Sequence, residues 1–154
     1  TGHAPAGGIV LALYGDYRIM PRGEFITGLN EVQVGLVVSS VIHKALVRAV
    51  GPRTAEKILV AGKILNAEQA LEIGLIDELA DDPDEVVNRA VDWCEQMLSL
   101  PRLAMTTTRA LARSDLVRLF DDTSHLDVET FVDIWFSEST QAALRNLVER
   151  IQKK

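Results

Sequence analysis

A chain of 154 residues is long enough for one domain with a substantial apolar core, and 47% hydrophobic with 25% charged residues is an ordinary globular balance. A net charge of -6, with 16 Lys and Arg standing mostly singly, argues against the clustered basic footprint of a nucleic-acid surface. Cys94 is the only cysteine, which excludes an intrachain disulfide, and no apolar run approaches the roughly 18 residues of a membrane-spanning helix. Neither a nucleic-acid nor a membrane partner is therefore expected, and no signal or transit segment is visible.

The chain opens at Thr1 and soon enters the Gly-rich turn Ala4-Pro5-Ala6-Gly7-Gly8. Such a turn ordinarily follows a strand that positions it, and none is legible ahead of it. The sequence therefore reads as the C-terminal part of a longer protein. Ile9 to Tyr14, apolar on nearly all sides, predicts a short buried helix whose N-terminus points at the glycines. Asp16 to Met20 predicts a short strand, Pro21-Arg22-Gly23 a turn, and Glu24 to Ile26 a second short strand leading into a loop that carries Glu31.

From about Ser39 the pattern is helical, with Val41, Ile42, Ala45, Leu46 and Val50 on one face and Gly51-Pro52 as the stop. Pro52 opens a second helix to about Ala61, with Ala55, Ile58 and Leu59 inward. Asn66 is placed as an N-cap with Gln69 as its capping-box partner, in a helix that ends at Gly74. Leu75 to Leu79 reads as extended. Asp82, Pro83 and Glu85 mark a helix start. That helix is expected to reach Leu100 and to bury Val86, Val87, Ala90, Val91, Cys94, Met97 and Leu98. Pro101 opens a further helix to about Arg113. A last helical region runs from Ser114 to about Ile151, broken near Ser137 to Ser139. Strands so few and short cannot make an independent sheet, so the main β-layer is expected from an N-terminal half.

Two segments carry chemistry. Adjacent Gly7 and Gly8 leave no Cβ between backbone and ligand, and they open a helix whose first N–H groups lack partners. That is an anion site in form, and one preorganised donor is worth about 3–4 kcal/mol to a developing oxyanion. A tight packing turn would look the same. Glu31 stands among Leu29, Val32, Val34, Leu36, Val37 and Val38. A carboxylate there is solvated, paired or functional, and burial would raise its pKa toward that of a general base. An exposed loop carboxylate is the plainer alternative; the two segments together point to enolate chemistry.

Other candidates have ordinary readings. His43 fits a surface or core-edge position, and His3 abuts the Gly turn without being needed by the chemistry. The three histidines and Cys94 lack metal-ligand spacing, so no metal is expected. Ser39-Ser40 suits an N-cap better than a nucleophile. Phe131, Trp135 and Phe136 would line an acyl pocket or pack in a core or interface. Lys153 and Lys154 would reach phosphates or fray in solvent.

Gly2-His3-Ala4-Pro5-Ala6-Gly7-Gly8, Leu11-Ala12-Leu13 and Asp16 to Met20 together resemble the middle of the crotonase (enoyl-CoA hydratase/isomerase) superfamily. Gly28-Leu29-Asn30-Glu31-Val32, Val34 and Gly35 resemble its Δ3,Δ2-enoyl-CoA isomerase branch, and Asn66 to Asp77 resembles a further family segment. The resemblance implies an α/β crotonase-like fold (ClpP/crotonase), present as its helix-rich C-terminal portion with a few short strands. Residues 1–80 would be the second half of the core and 81–154 a helical oligomerisation region. Gly7 aligns with the second oxyanion-hole amide and Glu31 with a catalytic glutamate. Hydratases carry another glutamate where this chain has Val10. A single carboxylate suits movement of a 3-enoyl-CoA double bond to the trans-2 position better than hydration.

The resemblance further implies an acyl-CoA thioester as substrate, no cofactor, fatty-acid β-oxidation as the setting, and a homotrimer or dimer of trimers. The expected location is cytoplasmic, or the mitochondrial matrix or peroxisome in a eukaryote. Hydratase-like, hydrolase or decarboxylase chemistry with one acid stays open. So does an inactive helical assembly module, since the first oxyanion-hole amide would lie upstream.

Overall fold

The computed structural model describes residues 2–121, 126 and 128–153. Thr1, His125 and Lys154 lie outside the described residues. A three-stranded sheet anchors the first part of the chain. β1 (Ala4–Pro5) runs parallel to β3 (Ile26–Gly28), which pairs antiparallel with β4 (Ile64–Asn66). The register sets Pro5 and Ile64 on either side of Gly28. Gly28 has φ 136°, and a Cβ there would lie 2.5 Å from the Lys63 carbonyl oxygen, so no side chain fits this crossing. A second pair, β2 (Ile19–Pro21) parallel to β5 (Glu78–Ala80), lies apart from the first sheet.

Helices pack over these strands. α1 (Gly7–Leu13) buries Ile9 and Leu13, while α2 (Ser40–Val50) buries Val41, Ala45 and Leu46. Gly51, at φ 78°, ends α2, and Pro52 opens α3 (Pro52–Val60), where a missing N–H costs no helical bond. α4 (Ala67–Glu72) carries the expected capping box. Asn66 Oδ1 accepts from the Gln69 N–H at 2.8 Å, and Gln69 Oε1 accepts from the Asn66 N–H at 3.1 Å. One core joins these elements, with Ile9, Leu29, Leu46, Ile58, Leu65 and Leu75 at its centre. The later helices are α5 (Glu85–Leu98), α6 (Arg102–Ala112), α7 (Ser114–Arg118), α8 (Val128–Phe136) and α9 (Glu138–Gln152).

Several sequence expectations change. The Gly turn is preceded by a strand after all, since Ala4–Pro5 pairs with β3. The expected strand at Asp16 to Met20 begins only at Ile19, where pairing with Glu78 of β5 starts, and the Asp16 carboxylate pairs with Arg109 and Arg113 at 2.7 and 2.8 Å. The strand expected at Glu24 to Ile26 lies at Ile26–Gly28, where two neighbours set its register. β4 carried no periodic signal and exists through pairing with β3. The extended segment Leu75 to Leu79 is a strand only from Glu78.

The largest correction concerns α5. Of its expected core face only Val86 is buried, while Val87 is 58% and Leu98 76% exposed. Ala90, Val91 and Cys94 are likewise exposed, and Met97 is half-buried. The reason is that α5 packs mainly on β2 and β5, while Cys94, Met97 and Leu98 face an open cavity of about 480 Å³ shared with Met105 and Ala112 of α6. α6 and α8 likewise bury no residue.

Candidate active site

The parallel pairing of β1 and β3 brings the two chemical segments together. Parallel strands end at the same edge, so the residues after β1 (Ala6, Gly7) and after β3 (Leu29 to Glu31) leave the sheet side by side. A hydrogen bond from the Ala6 N–H to the Gly28 carbonyl, 2.8 Å, ties the two exits. Ala6 itself adopts φ 48° and ψ -115°, a sparsely populated conformation for a residue with a Cβ. Such a backbone costs on the order of 1–3 kcal/mol and persists only where its surroundings hold it.

Gly7 and Gly8 then open α1. The first α1-region bond is Val10 N–H to Ala6 O at 3.1 Å, which leaves the Gly7, Gly8 and Ile9 amides without a helical partner, as at any helix start. A Cβ on Gly8 would lie 3.2 Å from the Ala4 side chain, whereas one on Gly7 would meet nothing within 4 Å. Packing therefore explains Gly8. It does not explain Gly7, which faces open space with an available N–H. Val10 is half-buried and packs against the core, so the first turn of α1 offers no carboxylate.

Glu31 opens a 3₁₀ turn, Glu31–Val34, closed by Gly35 in the left-handed conformation at φ 79° and ψ 10°. The side chain is half-buried. Its Oε2 is fully buried and is the one such side-chain polar atom without a hydrogen-bond partner among the described residues. Desolvation pushes the Glu31 carboxyl above the usual carboxylate range, against a smaller opposing pull from its own backbone amide. A carboxylate of raised basicity with an unoccupied, dry acceptor atom is suited to taking a proton from a bound molecule.

The 3₁₀ turn is gripped on two sides. Gln33 Nε2 donates to the Gly62 carbonyl at 2.8 Å, and Thr140 Oγ1 donates to the Gly35 carbonyl at 3.1 Å. Sequence reading singled out neither grip. A glycine closing the turn was visible in Gly35, but nothing near Thr140 pointed toward it.

The remaining candidates separate from this site. His43 is exposed on α2. His3 is structural: its Nδ1 accepts from the Ile26 N–H at 3.2 Å, and its ring meets Phe25 edge-on at 5.5 Å. Ser39 occupies the N-cap position of α2. Phe131 lines a cavity of about 480 Å³ with Val37, Val38 and Ile134, whereas Trp135 and Phe136 do not line it. Lys153 is exposed past the end of α9. Among the described residues no group of three or more His, Cys, Asp or Glu has metal-ligand geometry, and no helix is long and apolar enough to cross a membrane.

A sequence profile of the enoyl-CoA hydratase/isomerase family matches residues 1–154. The chain belongs to this family. Human mitochondrial enoyl-CoA delta isomerase 1 is 30% identical over 157 residues, spanning 100% of this chain and 51% of the human protein. The crystal structure of human mitochondrial delta3-delta2-enoyl-CoA isomerase superposes with a TM-score of 0.88 at 29% identity, covering 99% of this chain and 59% of that one. An enoyl-CoA hydratase from Mycobacterium marinum superposes at 0.69 with 27% identity, covering 76% and 51%. The expected α/β crotonase-like, helix-rich fold is thus the observed one. The chain spans about half the length of the curated relatives it matches.

Proposed function

We propose that this chain carries the base and one oxyanion donor of an enoyl-CoA isomerase. The observation that carries the reading is the buried, unpartnered Oε2 of Glu31, held at the same sheet edge as the open Gly7 amide. Glu31 takes a proton from C2 of a 3-enoyl-CoA thioester. The C–H electron pair moves into the C1–C2 bond, and charge gathers on the thioester oxygen, where the Gly7 N–H donates to it. The enolate then collapses as the Glu31 carboxyl returns the proton at C4. The double bond moves from C3–C4 to C2–C3. One proton leaves and one returns, with no net redox change, so the reaction requires neither cofactor nor metal.

Val10 favours isomerisation over hydration, since water addition would be served by a second carboxylate at that position. Similarity to the Mycobacterium marinum hydratase keeps hydration as a second reading. Under the same proposal, residues 1–80 form the second half of the catalytic core and residues 81–154 assemble trimers or dimers of trimers. The exposed apolar side of α5 supports that division. The setting is fatty-acid β-oxidation, in the cytoplasm or, in a eukaryote, the mitochondrial matrix or peroxisome.

The test is turnover of 3-hexenoyl-CoA by the intact protein and by Glu31→Gln. Formation of the 2-enoyl product without 3-hydroxyacyl-CoA, reduced about 100-fold or more in the variant, is expected of a single-base isomerase. Accumulation of 3-hydroxyacyl-CoA would select the hydratase reading. Undiminished turnover in Glu31→Gln would remove Glu31 as the base. A folded oligomer that neither binds nor turns over acyl-CoA would leave an assembly module.

A further inference from the structure

Two polar side chains are buried among the described residues, Thr27 and Thr140. Thr27 has a local explanation, because its hydroxyl donates to the Ala4 carbonyl at 2.9 Å across neighbouring strands. Thr140 has none within its own element. It lies in the first turn of α9, 1% exposed, and its hydroxyl reaches 105 residues back along the chain to the Gly35 carbonyl at 3.1 Å. Gly35 is the residue that closes the 3₁₀ turn of Glu31.

We infer that Thr140 is a positioning residue for the base: its hydrogen bond to the Gly35 carbonyl fixes the turn that carries Glu31. The inference rests on the assignment of Glu31 as the base. Within the turn, the Gly35 N–H bonds to Val32 O at 3.2 Å and the Leu36 N–H to Glu31 O at 3.0 Å. The main chain of Glu31 is therefore latched directly to the residues flanking the Gly35 carbonyl. The fit is close, since a Cβ on Gly35 would lie 2.8 Å from Thr140 Oγ1, and the left-handed φ of 79° also requires glycine.

Thr140 is itself aimed by its surroundings. Ser137 Oγ caps α9 by accepting the Thr140 N–H at 3.3 Å and donates to Ile134 O at 2.8 Å, fixing the α8–α9 corner. Elsewhere in the turn Gln33 is tied to the Gly62 carbonyl through an exposed side chain. Loss of the Thr140 contact thus leaves the turn free to pivot about the Gln33 side, carrying Glu31 with it. A misplacement of about 1 Å in a reacting group can reduce turnover on the order of 100-fold.

The experiment compares intact wild type with Thr140→Val, which keeps the shape and removes the hydroxyl, and Thr140→Ser, which keeps the hydroxyl. Steady-state turnover of 3-hexenoyl-CoA is one readout. The other, independent of activity, is the titration of the Glu31 carboxyl followed by 13C NMR. Thr140→Val is expected to lower kcat about 10- to 100-fold with KM changed less than about threefold. It should also move the Glu31 titration down toward the ordinary carboxylate range as the turn opens to water. Thr140→Ser should restore both.

A Thr140→Val protein that retains wild-type kcat and the wild-type Glu31 titration overturns the inference, whatever happens to its melting temperature. Failure of Ser to restore what Val removes overturns it too. If Glu31→Gln keeps full turnover, the base assignment falls instead, and the Glu31 titration in Thr140→Val still decides whether Thr140 sets the turn.

Discussion

Replacing Glu31 by glutamine should make the protein more stable at neutral pH while abolishing most of its turnover. The wild-type carboxylate hides one oxygen from water without giving it a hydrogen-bond partner. Holding that oxygen ionised away from water costs more than holding it neutral, on the order of 1 kcal/mol here because the side chain is only half-buried and partly screened by solvent. The sign with pH follows from linkage. Burial raises the Glu31 pKa above its ordinary 4.5, so between that value and the folded-state pKa the native protein holds a proton that the unfolded chain releases. Stability contributed by protonated Glu31 is present at low pH and is lost as pH rises through the folded pKa.

Glu31→Gln cannot ionise and escapes that loss. Urea unfolding at pH 4 should give nearly equal stabilities for the two proteins. At pH 7.5 the variant should be ahead by about 1 kcal/mol, with the same m-value. A variant that is less stable at pH 7.5, or whose advantage is equal at both pH values, would refute the claim that desolvation of Glu31 is the source. Opposite movements of stability and activity would mark a residue kept for chemistry at the expense of the fold.

Gly28→Ala should be among the most damaging single changes, since it forces φ 136° on a residue with a Cβ and sets that atom 2.5 Å from Lys63 O. A destabilisation of about 3 kcal/mol is expected by urea titration, together with loss of turnover, because the Gly28 carbonyl also receives the Ala6 N–H beside Gly7. Arg113→Met removes donors to Tyr14 O at 2.6 Å and Gly15 O at 3.2 Å and an ion pair with Asp16. It should cost about 2 kcal/mol by urea titration, with little change in KM. Arg109 still pairs with Asp16, so Arg109→Met should cost less, in keeping with its greater exposure.

The elements read best from sequence are those whose signals are local. The capping box at Asn66 and Gln69, the Gly51-Pro52 break, and the inward face of Ala55, Ile58 and Leu59 depend on residues within a turn of one another. Glu31 and Gly7 were singled out on equally local grounds, and the structure sets their segments at one sheet edge, while their roles rest on the proposal above. What escaped depends on contacts made from far away. β4 is too short to show a period and is defined by its partner. The apolar stripe of α5 has the right spacing for a core helix, yet spacing cannot say whether a neighbour will cover it, and within α5 only Val86 is buried. Thr140 looks like any polar residue in a helix's first turn; only the fold shows its hydroxyl turned inward.

The reach of the Thr140–Gly35 contact has a temporal consequence. Closing a loop of 105 residues carries more entropic cost than any contact within the Gly turn or the 3₁₀ turn, so it forms late. During synthesis the segment bearing Glu31 emerges long before α9 exists. The early chain therefore holds a carboxylate whose orientation is unset, and under the inference above the residue that sets it arrives only with α9, 105 residues after Gly35. If Glu31 is the base as proposed, competence would switch on only when the α8–α9 corner docks, and the Glu31 turn would serve as a check that the chain has folded through α9.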